Sequence, residues 1–65
     1  MLNRDHEKLI AAIRSGKIRD RNDAAERFGV STATIWRRIG QLRAAGYVIA
    51  TQGVGKWALL SEPKA

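Results

Sequence analysis

The chain has 65 residues, 45% of them hydrophobic, and its 12 Lys and Arg against 6 Asp and Glu give a formal net charge of +6. A chain of this length folds as one small domain that buries only about 60% of its unfolded surface, which excludes a deep substrate cleft. The absence of cysteine excludes disulfides and thiolate chemistry. Its apolar runs are far shorter than the roughly 20 residues of a membrane span, and its polar start is unlike a signal peptide, so we expect a cytoplasmic protein.

The first predicted element is a helix over about residues 4–14. Asn3 can cap its start, and Gly16 favours its end. The next segment, 17–19, is short and extended with Ile18 pointing inward, and it could pair as a small edge strand. The buried side of the helix is predicted from apolar residues at helical spacing, namely Leu9, Ile10 and Ile13.

A second helix is predicted over about residues 21–28. Asp20 is its N-cap, and Asp23 stands three residues on in an arrangement like a capping box. Gly29 can supply the left-handed residue that closes the helix. The apolar stripe consists of Ala24, Ala25 and Phe28.

A third helix is predicted over about residues 32–45, with Ser31 as its cap and Gly46 at its end. The second and third helices are therefore joined by a turn of only a few residues. Two short helices joined in this way form a helix-turn-helix, which lays its second helix in the DNA major groove. The buried line of the third helix is predicted at spacings of four and three, at Ile35, Ile39 and Leu42.

After Gly46 the spacing of apolar residues changes from that of a helix to every second residue, which is typical of a strand. Two alternating segments flank the glycine-rich stretch 52–55, which predicts a β-hairpin over about residues 47–60. The polar tail, 61–65, is expected to fray. The predicted fold is α+β and mainly α: a single domain over residues 1–65, in which three helices and a hairpin wing form a winged helix-turn-helix.

The chain from about Leu9 to Glu62 resembles the N-terminal DNA-binding domain of biotin operon repressors. The resemblance lies in the turn, the buried line of the third helix, the break after that helix, and the glycine-rich wing with its aromatic residue and leucine. Those positions are Phe28-Gly29-Val30-Ser31, then Ala33, Ile35, Ile39 and Leu42, then Ala45-Gly46-Tyr47, and in the wing Gly53, Gly55, Trp57 and Leu59.

The resemblance implies a DNA-binding fold, but the chain departs from the family by stopping just after the wing. The ligase domain that binds biotin and drives dimerisation in those repressors is absent from the sequence. We therefore expect neither biotin chemistry nor control by a small-molecule effector, and no cofactor. The initial Met1 and the polar tail favour a complete small protein.

The positive charge is concentrated in the second half of the chain. Between Arg27 and Ser61 there is no acidic residue, whereas four further cations fall there. A polyanion is the natural partner for such a field, although a solvated basic surface is the plainer interpretation. Those cations are Arg37, Arg38, Arg43 and Lys56.

With the buried line facing the core, a step of about 100° per residue points Arg37 almost directly outward. The N-terminal half of such a helix reads base edges, so we predict base contacts from this part of the third helix. Arg37 can pair bidentately with guanine or, alternatively, bind a phosphate or remain solvated. Trp36 could instead shield the core edge, touch the DNA backbone or form a dimer contact. The predicted base-contact residues are Thr32, Ala33, Trp36 and Arg37.

Phosphate contacts are predicted from the start of the third helix, from its flanks and from the wing. Arg38 is expected to reach a phosphate or an acid such as Glu26. Gly40 is unusual inside a helix and points outward, where a DNA backbone or a partner chain could approach closely. The predicted phosphate contacts are Ser31, Thr34, Arg38, Gln41 and Lys56, and the wing tip is Gly53, Val54 and Gly55.

We expect no enzymatic activity, because no catalytic set or metal-ligand spacing is visible. The single histidine, His6, is predicted to be an ordinary helix residue. Trp57 is expected to cover the core rather than to stack on bases.

The first functional hypothesis is sequence-specific binding of double-stranded DNA by a small prokaryotic or phage transcriptional regulator, repressor-like and located in the cytoplasm at the nucleoid. A monomer of this size covers few base pairs, so a homodimer or paired sites would supply specificity. The alternatives are a protein-interaction module on a winged-helix scaffold, and the DNA-binding domain of a larger enzyme or a recombination factor.

Overall fold

The computed structural model describes residues 3–52 and 55–63, and its fold is the predicted α+β, mainly α winged helix-turn-helix. Three helices are followed by two antiparallel strands that form one hairpin. In chain order the elements are α1 (Arg4–Arg14), α2 (Arg21–Phe28), α3 (Thr32–Ala44), β1 (Val48–Ala50) and β2 (Ala58–Ser61).

Each helix begins at the N-cap residue that the sequence predicts. The side chains of Asn3, Asp20 and Ser31 each accept the backbone N–H three residues on, at 3.2, 2.8 and 3.2 Å. At α2 the second bond of the expected capping box is absent, because the side chain of Asp23 does not bond to the backbone N–H of the cap residue Asp20. The Asp23 carboxylate accepts the N–H of Arg19 at 3.1 Å, one residue before the cap, so it holds the chain entering the helix.

The core lies between the three helices and the inner face of the hairpin. Ile49 and Trp57 close it from the hairpin side, with 5% and 4% of their surface exposed. Trp57 thus covers the core as predicted. The largest side chains buried almost completely are Leu9, Ile13, Ile18, Ile35, Ile39 and Leu42.

The edge strand considered for residues 17–19 is not present. Ile18 is fully buried as expected. Among the described residues, however, segment 17–19 makes only one backbone hydrogen bond to the hairpin, from the Trp57 N–H to the Ile18 carbonyl at 2.8 Å. A single bond ties the segment to the hairpin without forming a ladder.

Gly46 sets the path from α3 into the hairpin. The helix ends at Ala44, one residue earlier than predicted, with Ala45 as its C-cap. Gly46 has φ of 108°, and a Cβ added there would lie 2.9 Å from Cβ of Pro63. Both the backbone conformation and the close approach of the tail therefore require glycine at this turn.

The hairpin carries an irregularity beside its open end. Ile49 pairs with Leu59 and Val48 with Ser61, so Leu60 is the extra residue of a bulge on β2. Its side chain is 65% exposed, and that of Val48 is 50% exposed. Ile49, Trp57 and Leu59 lie in or against the core at the alternate positions predicted. Burial does not alternate along β2 itself, where Ala58 and Leu59 are half-buried and Leu60 and Ser61 are exposed.

Candidate nucleic-acid interface

The first turn of α3 is organised by two hydroxyl groups. Ser31 Oγ accepts the N–H of Thr34 and lies 3.1 Å from Thr34 Oγ1. Both hydroxyls predicted to contact phosphate are therefore part of the helix cap. In the described chain, the backbone N–H groups of Thr32 and Ala33 remain without a partner at this helix end. Such groups favour an anion through the partial positive charge of the helix N-terminus.

Arg37 lies on the exposed side of α3, opposite its buried line. Ala33, Gly40 and Ala44 share this exposed side. Within residues 3–52 and 55–63, no ion pair or side-chain hydrogen bond involves Arg37. Its guanidinium is thus presented with all its donors to an incoming ligand.

Trp36 lies at the edge of the core and is also partly exposed. Its ring centroid is 5.5 Å from that of Trp57, with 44° between the ring planes, and 39% of the residue remains accessible. The contact joins α3 to the segment that enters β2. Trp36 therefore packs against the core edge on one side and leaves apolar surface available beside Arg37.

A cleft of about 370 Å³ separates α3 from the hairpin. Trp36 and Arg43 form its helix side, and the end of β1 with the residues after it forms the other side. The strand side consists of Ile49, Ala50, Thr51 and Gln52.

Arg43 fastens the hairpin to α3, a role that the sequence analysis missed. Its guanidinium donates to the carbonyl of Ile49 at 2.9 Å and to Thr51 Oγ1 at 3.1 Å. No local pattern announces these bonds, since they depend on where the chain returns after Gly46. Arg43 therefore uses its Nη2 group within the protein and holds the end of β1 against α3.

We predict that Arg43→Gln loosens the wing and lowers the free energy of unfolding by about 1–2 kcal/mol, because charge-assisted bonds are lost. Hydrogen exchange at the backbone amides of residues 49–51 should accelerate. Arg37→Gln removes the same charge from a side chain without described partners, and it should leave this exchange unchanged. Equal protection in both variants would show that Arg43 does not hold the wing.

Two side chains predicted to contact phosphate are bonded to α1. The acid near Arg38 is Asp5, with Nη2 and Oδ2 3.7 Å apart, and it is not Glu26. The oxygen Oε1 of Gln41 lies 2.6 Å from Nε2 of His6. Arg38 and Gln41 thus brace α3 against α1, because they lie on its flanks and not on its outer side.

His6 has a larger structural role than that of an ordinary helix residue. It is 6% exposed, and its ring completes the capping box of α1 by accepting the N–H of Asn3 at 3.2 Å. Through Gln41 it also joins that cap to α3. Spacing alone gave no signal for this bridge, because the two residues are 35 positions apart.

Lys56 is exposed, but its side chain runs beside the end of α1. A Cβ added at Gly16 would lie 3.5 Å from Lys56 Cδ and 3.8 Å from Nζ. At the predicted wing tip Gly55 is exposed, whereas Gly53 and Val54 lie outside the described residues. Of the four cations in the acid-free stretch, Arg37 and Lys56 are the two without a bonded partner in the described ranges.

Among the residues that the structure describes, no helix is long and apolar enough to cross a membrane. Within the same residues, no cluster of His, Cys, Asp and Glu could hold a metal ion.

Comparison with known proteins agrees with this geometry. A family model described as an HTH domain matches residues 22–55, which covers α2 from its second residue, the turn, α3 and β1. No curated protein and no solved structure matches the chain significantly. The match supports DNA as the partner, since the helix-turn-helix is a DNA-binding motif. With just over half of its length matched, the chain belongs to the HTH domain family.

Proposed function

We propose that the chain binds double-stranded DNA sequence-specifically and regulates transcription as a small repressor. The observation that carries the proposal is the exposed Arg37 on the outer side of α3, directly after the turn of a helix-turn-helix. Inserted in the major groove, its guanidinium pairs with O6 and N7 of a guanine. The wing then lies on the adjacent backbone.

Direct base contacts come from the N-terminal half of α3 in this proposal. Arg37 reads guanine, the methyl groups of Thr32 and Ala33 touch thymine methyl groups, and Trp36 offers its accessible edge to a base or sugar. Thr32 is half-buried and Ala33 is exposed, which suits short contacts at the helix start.

Phosphate contacts in the proposal come chiefly from backbone N–H groups at the start of α3, around Ser31 and Thr34. Lys56 contributes from the wing with Gly53, Val54 and Gly55. Arg38 and Gln41 reach a phosphate with donors not used in their bonds to α1, and their main effect is to orient α3.

The remaining parts of the proposal concern the assembly and its setting. We infer a single domain that acts without enzymatic activity or cofactor in the cytoplasm of a prokaryote or its phage. Two copies on a palindromic operator would supply the contacts that one small domain lacks. The resemblance to the DNA-binding domain of biotin operon repressors supports this arrangement of helix and wing.

The experiment that tests this function is selection of bound sequences from a pool of random DNA duplexes. The proposal expects enrichment of a short motif containing guanine, and an inverted repeat of that motif if the chain binds as a dimer. Retention of all sequences alike, or of none, would overturn the proposal of sequence-specific binding.

Gly40 offers a prediction in which stability and binding change in opposite directions. It lies in α3, is exposed, and has nothing within 4 Å of an added Cβ. Gly40→Ala should therefore raise the free energy of unfolding by about 1 kcal/mol, the helix propensity difference. If a DNA backbone approaches Gly40 closely, the same variant should bind duplex DNA more weakly. Thermal unfolding and a duplex titration of the same sample measure both, and a destabilised variant would contradict the prediction.

A further inference from the structure

Several cations of the chain lie outside the DNA-binding helix and have no part in the proposed function. Lys8, Lys17 and Arg27 belong to α1, the segment after it and the last turn of α2. All three are exposed, and none of them forms an ion pair or side-chain hydrogen bond in the described parts of the chain. Their positive charge is therefore available to an external partner.

These three cations surround a shallow groove between α1 and the end of α2. The groove has a volume of about 310 Å³, and we call it the basic groove. Ala11 and Ala12 leave room for it because their side chains are small. Its cationic rim is formed by Lys8, Lys17 and Arg27, and its apolar floor by Ala11, Ala12 and Phe28.

The apolar floor distinguishes the basic groove from a basic surface that only aids solubility, because solubility requires charge but no apolar contact. Phe28 is half-buried: it packs against the core cluster and also lines the groove. Ser15, which also lines the groove, donates its hydroxyl to the Ala11 carbonyl at 2.8 Å and is already bonded. The groove thus combines apolar contact with positive charge at its rim, and no acidic side chain lines it.

The shape of the groove indicates the size of the occupant. Sites for small molecules usually enclose 70–90% of the ligand in about 300–1,000 Å³. The basic groove is at the lower limit of that volume, and most of its lining residues are exposed. It would leave much of a small ligand in water, whereas a peptide segment can lie across it and continue on either side.

We propose that the basic groove binds an acidic peptide segment of a partner protein, with an aromatic or leucine side chain between its carboxylates. The apolar side chain rests on Phe28 and the alanines, and the carboxylates pair with Lys8, Lys17 and Arg27. DNA would satisfy the cations, but its backbone has only sugar rings, and no protruding apolar side chain, to place on the floor. The groove therefore provides a contact to another protein that is separate from the proposed base-reading residues on α3.

The test uses the full chain and a fluorescein-labelled 12-residue peptide of aspartate and glycine with one central phenylalanine. A second peptide with serine at the centre is the control for the apolar contact. Fluorescence anisotropy should show saturable binding of the first peptide and about tenfold weaker binding of the second. No saturable binding, or equal binding of the two peptides, would overturn the proposal.

Two variants with the same change in net charge locate the contact. Ala11→Glu places a carboxylate in the groove at an exposed helical position that tolerates glutamate. Asn22→Glu makes the same change in net charge at an exposed position in the first turn of α2, outside the groove, α3 and the wing. Ala11→Glu should weaken binding of the phenylalanine peptide about tenfold, and Asn22→Glu should weaken it only about twofold.

Measuring the affinity of the same variants for duplex DNA distinguishes the peptide proposal from the proposed function. The proposed function does not depend on the peptide proposal. The two glutamate variants should bind duplex DNA with equal affinity. If Ala11→Glu weakens duplex binding much more than Asn22→Glu does, the cations of the basic groove belong to the DNA interface and the peptide proposal is wrong. Loss of the peptide with unchanged duplex binding would support it.

Discussion

Replacing Arg37 with alanine is expected to weaken binding to the selected duplex by about 1–3 kcal/mol, or roughly 5- to 150-fold. The effect should be large because no described residue bonds to this guanidinium, so its donors are free to pair with a base. Binding to unrelated duplexes should weaken less, because only the loss of a positive charge affects them. The ratio of the two affinities, measured at one salt concentration, checks the prediction.

Arg37→Lys is the matched control for this prediction. It keeps the charge but removes the planar fork that pairs bidentately with guanine. The lysine variant should therefore retain general affinity and lose most of the preference for the selected sequence. If Arg37→Ala lowers the affinity for all duplexes by the same factor, Arg37 binds phosphate and does not read a base.

Replacing Trp57 with alanine is expected to cost about 3–5 kcal/mol of the free energy of unfolding. Trp57 is 4% exposed, packs against the tilted ring of Trp36, and donates its backbone N–H to the Ile18 carbonyl. A core of this size rarely supplies more than about 3–5 kcal/mol, so the variant should be largely unfolded at room temperature. Circular dichroism of the helices during chemical denaturation measures the loss.

Leu60→Ala is the control for a large apolar side chain in the same hairpin. Leu60 is 65% exposed and unpaired in the bulge, so its truncation should change stability by less than about 0.5 kcal/mol. A Trp57→Ala variant as stable as Leu60→Ala would mean that the hairpin is not part of the core.

The helices and the hairpin could be predicted from the sequence because their signals are local. The caps Asn3, Asp20 and Ser31 act on residues three positions away, and the buried line of α3 depends on spacing within one helix. A change of period from 3.6 to two is likewise visible within a few residues. These signals suffice to identify the fold and the exposed side of α3.

The contacts between elements could not be predicted in the same way. Helical spacing tells which side of α3 faces the protein, but not which residue of α1 stands opposite. The bond between His6 and Gln41 and the pair of Asp5 with Arg38 both depend on the packing angle of two helices. The same holds for Arg43, whose partners lie beyond a turn set by Gly46. The distribution of charge in the sequence assigned Arg38 and Arg43 to the positive field for DNA, whereas in the structure each also pairs with a group of the protein.

Titration of the selected duplex with the chain at several salt concentrations tests the central proposal most directly. Each phosphate that the protein neutralises should lower log K by about 0.9 per unit of log salt. The proposal expects nanomolar to micromolar affinity at low salt, a negative slope, and a clear preference over an unrelated duplex at every salt concentration. No measurable affinity for any duplex at low salt, or a flat dependence on salt, would contradict it.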